Sequence, residues 1–292
     1  MLSYAQACET FGDFIVLVGF GSRLPDVLKF IYRMATEREV YAPDLPLCDD
    51  VLFDTEFYSA HKAQFDTARA LFSDETSRTL FDDMIAYKLS GDLRYFERTI
   101  SREQAWQTLM NPDSYRIAID AGAYNGDTAS EMLHWCHNIE KIYALEPDSK
   151  NFARLMRFVE ASGNGKIQPV NAAVLDYCGA ISLNSSGNRN SRISPQNRAV
   201  ENSVNCICLD KLTTDRVDLI KYDVEGSEEA ALLGSAGIIA AHAPDLIVSA
   251  YHKSTDLYRL PRLIRELNPK YKLYLYRHPY VPAWDLNIFA TN

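Results

Sequence analysis

From residue 115 onward the chain alternates short apolar runs with amphipathic stretches, and this alternation constrains the fold more than any other feature. We predict strands over 116–120, 141–145, 166–170, 204–209, 217–223, 245–251, 271–276 and 286–290. Helices are predicted over 128–137, 149–162, 227–240 and 257–267. Such alternation is typical of a doubly wound, largely parallel α/β sheet with helices on both faces. The last two strands have no helix between them, which predicts a hairpin with one antiparallel strand.

The first 95 residues have a different pattern, which predicts a small α/β segment. Strands are predicted over 14–18 and 39–42, with a helix from Pro25 to Thr36 between them and a mainly helical stretch over 63–95. The run Ser73-Asp74-Glu75-Thr76 is typical of a helix start within that stretch. We therefore divide the chain into an N-terminal βαβ-like and helical segment, residues 1–95, and a larger domain, residues 96–292. The first segment could dock on the domain, recruit an acceptor or form the contact of a homo-oligomer.

Composition excludes several classes of protein. Of the 292 residues, 47% are hydrophobic and 24% are charged, which is near the globular average and disfavours disorder. The formal charge of -9 argues against a nucleic-acid partner, and no apolar run approaches the ~20 residues of a membrane span. The six cysteines form no CxxC pair, so neither a zinc site nor a disulfide framework is indicated. Reduced cysteines favour a cytoplasmic protein.

The first strand of the larger domain ends in a glycine-rich turn, Asp120-Ala-Gly122-Ala-Tyr-Asn-Gly126-Asp-Thr128. Ligands of open parallel sheets bind beyond the carboxyl ends of the strands, and glycine lets a ligand approach the backbone closely. A carboxylate at Asp120 would repel a pyrophosphate and attract an ammonium or sulfonium group. This turn is therefore a candidate site for a cationic ligand, and a tight turn without a ligand is the alternative.

The next two strands end in residues suited to a nucleoside. Glu146 follows the second strand, and its two carboxylate oxygens match the two adjacent hydroxyls of a ribose. The alternative is an acid that interacts with the dipole of the following helix, which suits Asp148 better. Asn171 follows the third strand and could donate a hydrogen bond to a base edge, although any loop asparagine would look the same.

The fourth strand ends in the segment with the strongest chemical signal. Asp223 and Glu225 alternate to one side there, and two neighbouring carboxylates are costly unless they are paired, metal-bound or used in chemistry. His252 follows the fifth strand, where it would face the same crevice as Glu225. A histidine of ordinary pKa can take a proton from a hydroxyl, so His252 is a candidate base.

Polar residues near these positions are given other roles. Ser227 is predicted to cap the next helix, and Glu228 with Glu229 to favour its N-terminus, so these three are interpreted as structural. The polar stretch 184–198 is interpreted as a lid over a polar or anionic acceptor, with a solvated loop as the alternative. It carries Arg189, Arg192 and Arg198.

Together these residues resemble the FkbM family of S-adenosylmethionine-dependent methyltransferases over about residues 71–292. The most specific element is Ile220-Lys-Tyr-Asp223-Val-Glu225-Gly226-Ser-Glu228, which looks like the family's lysine–x–aspartate–(valine or isoleucine)–glutamate–glycine–x–glutamate signature. The turn after Asp120, the Glu146-Pro147 pair, Tyr251-His252-Lys253 and the run 269–278 also resemble family elements. Tyr222 departs mildly, because an apolar or small residue is commoner there.

The resemblance implies a class I methyltransferase fold, which is a Rossmann-like seven-stranded sheet with the last strand antiparallel. It implies S-adenosyl-L-methionine as cofactor and methyl transfer to an oxygen of sugars, polyketides or related glycoconjugates. By position it implies that one group of residues binds the methionine part of the cofactor, namely Asp120, Gly122, Gly126 and Thr128. Glu146 would hold the ribose, Asn171 and Ala172 would flank the adenine, and Asp223 would lie near the sulfonium.

The same resemblance implies that Glu225 and His252 face the acceptor. We predict that His252 is the general base, assisted by Glu225 or Asp223. A divalent cation held by those carboxylates is the alternative, and it would lower the pKa of the acceptor hydroxyl instead. The sequence signals no metal site.

Two other functions compete with this interpretation. The first is an NAD-linked oxidoreductase anchored by Gly19-Phe-Gly21, although Leu24 stands where the dinucleotide fingerprint has its third glycine. The second is a non-catalytic binding module with a methyltransferase fold, against which the intact carboxylates and His252 count.

Overall fold

A computed structural model describes residues 1–45, 47–48, 51–184, 192–194 and 203–292. The helices are α1 Tyr4–Phe11, α2 Pro25–Glu37, α3 Thr55–Arg69, α4 Glu75–Ser90, α5 Arg102–Thr108, α6 Asp127–Trp135, α7 Ser149–Ser162, α8 Glu228–Leu233, α9 Ala236–His242 and α10 Asp256–Leu267. The strands are β1 Val16–Leu17, β2 Val40–Tyr41, β3 Ile117–Ala121, β4 Lys141–Leu145, β5 Ile167–Val170, β6 Ala173–Val174, β7 Gly179–Asn184, β8 Arg192–Ser194, β9 Ser203–Ile207, β10 Leu219–Tyr222, β11 Asp245–Ser249, β12 Lys272–Arg277 and β13 Leu286–Thr291.

A seven-stranded sheet forms the centre of the molecule, in the order β12-β13-β11-β10-β3-β4-β5. The strands from β11 to β5 pair in parallel, and β13 runs antiparallel between β11 and β12. The predicted α/β sheet with its last strand antiparallel is therefore confirmed. Because β3 and β10 are central neighbours, the segments that follow them meet at one edge of the sheet.

The predicted strand at 204–209 is present as β9, but it lies in a second sheet. That sheet has the order β6-β9-β7-β8, and β9 pairs in parallel with β6 and antiparallel with β7. Most of the predicted lid at 184–198 lies outside the described residues. Asn184 ends β7, and 192–194 form β8.

Two of the predicted helical stretches each contain two helices. The stretch 63–95 contains α3 and α4, and α4 begins where the sequence predicts, since Asp74 accepts a hydrogen bond from the Ser77 amide at 2.7 Å. The predicted helix 227–240 divides into α8 and α9 around Gly234. A Cβ at Gly234 would lie 2.0 Å from the Leu175 carbonyl oxygen, so the backbones of two elements touch at the break.

The prediction that Ser227 caps α8 is wrong. Ser227 stands at the N-cap position, but its side chain makes no capping hydrogen bond. Its backbone is not extended (φ -101°, ψ 15°), whereas a capping serine side chain needs the extended conformation to reach the next turn.

The N-terminal segment shares an apolar core with the sheet. The strands β1 and β2 pair in parallel, while α3 packs on α10 and α4 packs on β12. Ser73 donates its amide to the Leu273 carbonyl at 2.8 Å and accepts the Leu273 amide through its side chain at 3.0 Å. Phe65, Phe72 and Phe81 are buried in the same cluster as Leu273. The segment is thus fixed against the sheet edge, and the division at residue 95 stays a prediction.

None of the described helices combines the length and the apolar character that crossing a membrane requires.

Candidate active site

A cavity of about 310 Å³ opens at the carboxyl edge of the sheet, where the strand order predicts a ligand. Most of the residues singled out in the sequence line it, namely Gly122, Thr128, Glu146, Ala172, Asp223, Glu225 and His252. Asp120, Gly126 and Asn171 are not among the lining residues. The structure therefore brings most of the strand-end residues together at the cavity and leaves these three out of its lining. Asp120 and Gly126 are buried, whereas Asn171 is exposed.

The two glycines of the first turn are required by packing. Both have positive φ, +92° at Gly122 and +93° at Gly126. A Cβ at Gly122 would lie 1.9 Å from the Asp223 carbonyl oxygen, and a Cβ at Gly126 would lie 2.3 Å from the Phe158 ring. Only glycine fits such contacts. The glycines thus allow a close approach, as expected, but the groups that approach them are other parts of the protein rather than a ligand.

Asp120 is fully buried and faces a cation from the neighbouring strand. The sheet register pairs Asp120 with Lys221, and the Lys221 ammonium lies 3.3 Å from the Asp120 carboxylate. The same ammonium lies 3.5 Å from Asp223 and donates to the Gly122 carbonyl at 3.1 Å. Burial raises the pKa of Asp120, and the attraction of Lys221 offsets part of that rise. Asp120 therefore holds Lys221 at the cavity wall.

Glu146 lines the cavity and braces the turns on either side of it. One carboxylate oxygen accepts the Tyr124 amide and the other accepts the Asp148 amide, both at 2.9 Å. Burial raises the pKa of Glu146 to about 7. The Asp148 side chain caps α7, as its alternative role predicts. Asn171 donates its side-chain amide to the Glu146 carbonyl at 2.8 Å, so it supports the turn that carries Glu146.

His252 lies at the back of the cavity, with 1% of its surface exposed, and three carboxylates surround it. Its Nδ1 lies 2.9 Å from Glu228 Oε1. Its Nε2 lies 3.6 Å from Asp223 Oδ1 and 3.5 Å from Glu225 Oε2. The imidazole ring thus bridges a buried acid and the two carboxylates that face the cavity.

Glu228 is the site residue that sequence reasoning missed. It occupies the first turn of α8, as predicted, but it is 1% exposed and contacts His252. Its Oε1 also accepts the Val224 amide at 3.0 Å and the Gly226 amide at 3.4 Å. The sequence did contain a signal, because Glu228 is the final glutamate of the motif that begins at Lys221. Its position at the start of a helix gave a simpler explanation for an acidic residue.

The charges of this cluster set the protonation of its members. Burial lowers the pKa of His252, but the attraction of Glu228, Glu225 and Asp223 outweighs it and raises that pKa to about 10. Burial alone would raise the pKa of Asp223, yet Lys221 and His252 hold it well below its usual range. Burial raises the pKa of Glu225 to about 7, against the attraction of His252. At neutral pH His252 is therefore cationic, Asp223 is anionic, and Glu225 titrates.

Glu225 stands on a left-handed turn. Its φ is +52° and that of Gly226 is +91°. A left-handed glutamate costs free energy and persists only where its surroundings fix it, which is common at functional sites. Here the N-terminal segment closes over the turn, because a Cβ at Gly226 would lie 2.8 Å from the Cβ of Cys48.

Three atoms of the cluster lie close enough to ligate a metal ion. One ligand atom from each of Asp223, Glu228 and His252 falls within 4.8 Å of the others. Histidine binds a metal only without its proton on the ligating nitrogen, whereas the surrounding carboxylates favour the protonated ring. With the ring protonated the cluster is an ion-pair network, and a metal ion bound here would have to displace that proton.

The rim of the cavity comes from segments that the sequence analysis did not connect with the site. They contribute Arg23 and Leu47 from the N-terminal segment, Arg102 and Glu131 from α5 and α6, and Tyr280 and Trp284 from the connection between β12 and β13. No motif marks these residues, because they meet only through the fold. Gly21, proposed above for a dinucleotide, packs against the Trp284 ring, and a Cβ there would lie 2.5 Å from it.

Residues 120–274 match the family described as "Methyltransferase FkbM domain", and this span is more than half of the chain. The chain belongs to the FkbM family of S-adenosylmethionine-dependent methyltransferases. The family assignment thus confirms the resemblance and replaces the NAD-linked alternative. Among curated protein sequences, none matches the chain.

Solved structures with a similar fold include an FkbM methyltransferase from Methylobacillus flagellatus. It is 20% identical, with a TM-score of 0.75 over 99% of this chain and 76% of that chain. An rRNA methylase from Streptococcus thermophilus is 12% identical, with a TM-score of 0.41 over 62% and 88% of the two chains. Fibrillarin from Aeropyrum pernix, in complex with natively bound S-adenosyl-L-methionine, is 14% identical, with a TM-score of 0.40 over 65% and 74%. The first of these likenesses includes the N-terminal segment.

Proposed function

We propose that this FkbM methyltransferase transfers a methyl group to a hydroxyl oxygen of a sugar or glycoconjugate. The observation that carries the proposal is the Glu225 carboxylate, which lines the cavity and is backed by the His252 ring at 3.5 Å. Hydroxyl groups are weak nucleophiles and need a proton acceptor. The resemblance to family members that act on sugar hydroxyls supports the class of acceptor.

The lining residues fit S-adenosylmethionine by their chemistry. Glu146 offers a buried carboxylate to the ribose hydroxyls, and Ala172, Ala173 and Val174 offer an apolar wall to the adenine. Gly122 and Thr128 face the methionine part, and the anionic Asp223 suits a cationic sulfur. Asp120 takes part through Lys221, while Gly126 and Asn171 position the turns.

The cofactor supplies a methyl group already activated on a sulfonium, so the protein mainly aligns the acceptor oxygen with it. Glu225 faces the cavity from its left-handed turn and accepts the hydroxyl proton. His252 was predicted from the sequence as this base, and that role stays untested. The geometry favours Glu225, because His252 is buried behind it and already holds a proton at neutral pH.

His252 is then a positioning residue. Its Nε2 lies about equally far from Asp223 and Glu225, so the ring holds both carboxylates apart and in place. Glu228 in turn fixes the ring from the opposite side at 2.9 Å. Tyr251 adds a hydrogen bond from its hydroxyl to Asp223 at 3.0 Å. Asp223 and Glu225 both face the cavity, and the raised pKa of Glu225 makes it the carboxylate better suited to take up a proton near neutral pH.

The test begins with native mass spectrometry of the purified protein and calorimetry with S-adenosylhomocysteine. Methyl transfer from isotope-labelled S-adenosylmethionine to a panel of monosaccharides and glycoconjugates follows, and NMR locates the new methyl group. We expect tight binding of S-adenosylhomocysteine and a methyl ether in the product. Methyl groups on nitrogen or carbon would contradict O-methylation, and absence of any binding would contradict the cofactor site.

The described cysteines are all free, which supports a cytoplasmic setting for this reaction. A homo-oligomer formed through residues 1–95 also stays a prediction. Light scattering of the full chain checks it, with a mass above one 33.1 kDa chain as the expected result.

A further inference from the structure

The N-terminal segment fixes the backbone of one arginine at the mouth of the cavity. Ser22 exchanges two backbone hydrogen bonds with Val281, at 2.8 and 3.0 Å. Gly21 before it touches the Trp284 ring, and α2 begins at Pro25 just after it. Arg23 lies between these fixed points and lines the cavity. Its backbone is therefore set by contacts on both sides.

Arg23 is less engaged in ion pairs than the other arginine and the lysine that line the cavity. Lys221 is buried between Asp120 and Asp223, and Arg102 pairs with Glu131 and Asp285, each at 3.1 Å. The Arg23 side chain is 49% exposed, and its ion pair with Asp127 is long, at 3.7 Å.

Within the described part of the chain the Arg23 guanidinium makes no hydrogen bond. The distance to Asp127 is too long for a hydrogen bond and exposed ion pairs contribute little free energy, so this contact leaves the guanidinium donors available to a ligand. Those donors form a planar fork that suits an oxyanion, and a bidentate contact of that kind is strong.

An aromatic surface stands beside this arginine. Tyr280 and Trp284 both line the cavity, with their ring centroids 6.1 Å apart. The Trp284 indole N–H is buried and has no hydrogen-bond partner among the described residues. Such a nitrogen usually finds an acceptor when buried, and an aromatic face suits the apolar face of a sugar ring. The rim of the cavity thus places a guanidinium that can bind an oxyanion next to an aromatic surface that can contact a sugar ring.

We propose that Arg23 and Trp284 form the acceptor subsite and that the acceptor carries an oxyanion, as a carboxylate or a phosphate. This inference rests on the proposed function, since it names the class of molecule that receives the methyl group. Arg23 binds the oxyanion, Trp284 contacts the ring, and the hydroxyl to be methylated lies toward Glu225. The N-terminal segment is therefore a determinant of specificity.

The test measures binding of simple charged sugars to the protein saturated with S-adenosylhomocysteine. Glucuronate and glucose 6-phosphate are the probes, and glucose is their neutral reference. We expect one charged sugar to bind more tightly than glucose by roughly 10- to 100-fold, the weight of a hydrogen bond to a charged group. The probe that gains affinity also identifies the oxyanion as a carboxylate or a phosphate.

Variants then assign the preference to one side chain. Arg23→Gln should remove it and Arg23→Lys should keep part of it. Arg33→Gln, which removes the same charge from an exposed position on α2, should leave it unchanged. Equal affinity for all three sugars, or a preference that survives Arg23→Gln, overturns the proposal.

Calorimetry with S-adenosylhomocysteine separates this inference from the function on which it rests. We expect Arg23→Gln to bind S-adenosylhomocysteine as the unaltered protein does. A loss of that affinity with the sugar preference intact would place Arg23 on the cofactor carboxylate and overturn the acceptor subsite. Failure of the unaltered protein to bind S-adenosylhomocysteine would instead contradict the proposed function.

Discussion

The inner and outer halves of the cavity are built in different ways. The inner half uses residues at the carboxyl ends of consecutive strands, such as Gly122 directly after β3, Glu146 directly after β4 and Ala172 two residues after β5. The outer half joins the N-terminal Arg23 to Trp284 from the far end of the chain. Strand ends of a parallel sheet meet at one edge by construction, whereas the outer half needs contacts between segments that are far apart in the chain. Strand order thus builds the inner half, and long-range packing builds the outer half.

The largest effect is expected from Glu225→Gln, which removes the proton acceptor between the two halves. The rate kcat should fall by about 10²- to 10⁴-fold, the usual contribution of general base catalysis. The affinity for S-adenosylhomocysteine should change little, because Glu225 lies outside the proposed ribose site and the thioether sulfur of this ligand carries no charge. Steady-state kinetics and calorimetry measure the two quantities.

Glu229→Gln is the matched control, because Glu229 lies on α8 in an exposed ion pair with Arg259 at 3.1 Å. It should keep the activity of the unaltered protein. A near-normal kcat in Glu225→Gln would contradict Glu225 as the base and favour His252.

The next largest effect is expected from Glu146→Gln, which changes the inner half alone. Affinity for S-adenosylhomocysteine should fall by roughly 10- to 100-fold, since the variant loses the charge that accepts the ribose hydroxyls. Calorimetry measures the change, and a melting curve checks that the Tyr124 turn is intact. Glu160→Gln on the exposed side of α7 is the control. Unchanged affinity in Glu146→Gln would refute the ribose contact.

The smallest effect is expected from pH. The pKa of Glu225 is about 7 and that of His252 about 10. A base works in its unprotonated form, so kcat/KM should rise with pH through 7 and then level, with a value about fivefold lower at pH 6 than at pH 7. A profile that keeps rising toward pH 10 would indicate His252 as the base. Glu225→Gln should flatten the rise near pH 7.

The strand-end residues could be predicted because each lies directly after an apolar run. Asp120 shows the limit of that reasoning. It lies near the end of β3, as the sequence predicts, but the register that sets it opposite Lys221 depends on which strand lies next to β3. The neighbour turned out to be β10, and the ion pair between them removes Asp120 from the cavity wall.

Glu228 and Ser227 show a second limit. Both lie where a strand is followed by a helix, so local rules assign them to the helix N-terminus. Glu228 does begin α8, but it also contacts His252, and Ser227 makes no cap. The choice between these roles depends on whether a histidine from another strand lies within reach, which no local pattern reports.

The sequence by itself determined the α/β sheet with its antiparallel last strand, the family and the strand-end carboxylates, because these follow from periodicity and from short motifs. Only the tertiary structure decided that His252 is enclosed by three acids and that Arg23 reaches the cavity. Both outcomes depend on contacts between distant segments. Burial among those contacts shifts the pKa of His252 and of Glu225, and a shifted pKa sets which of them accepts a proton.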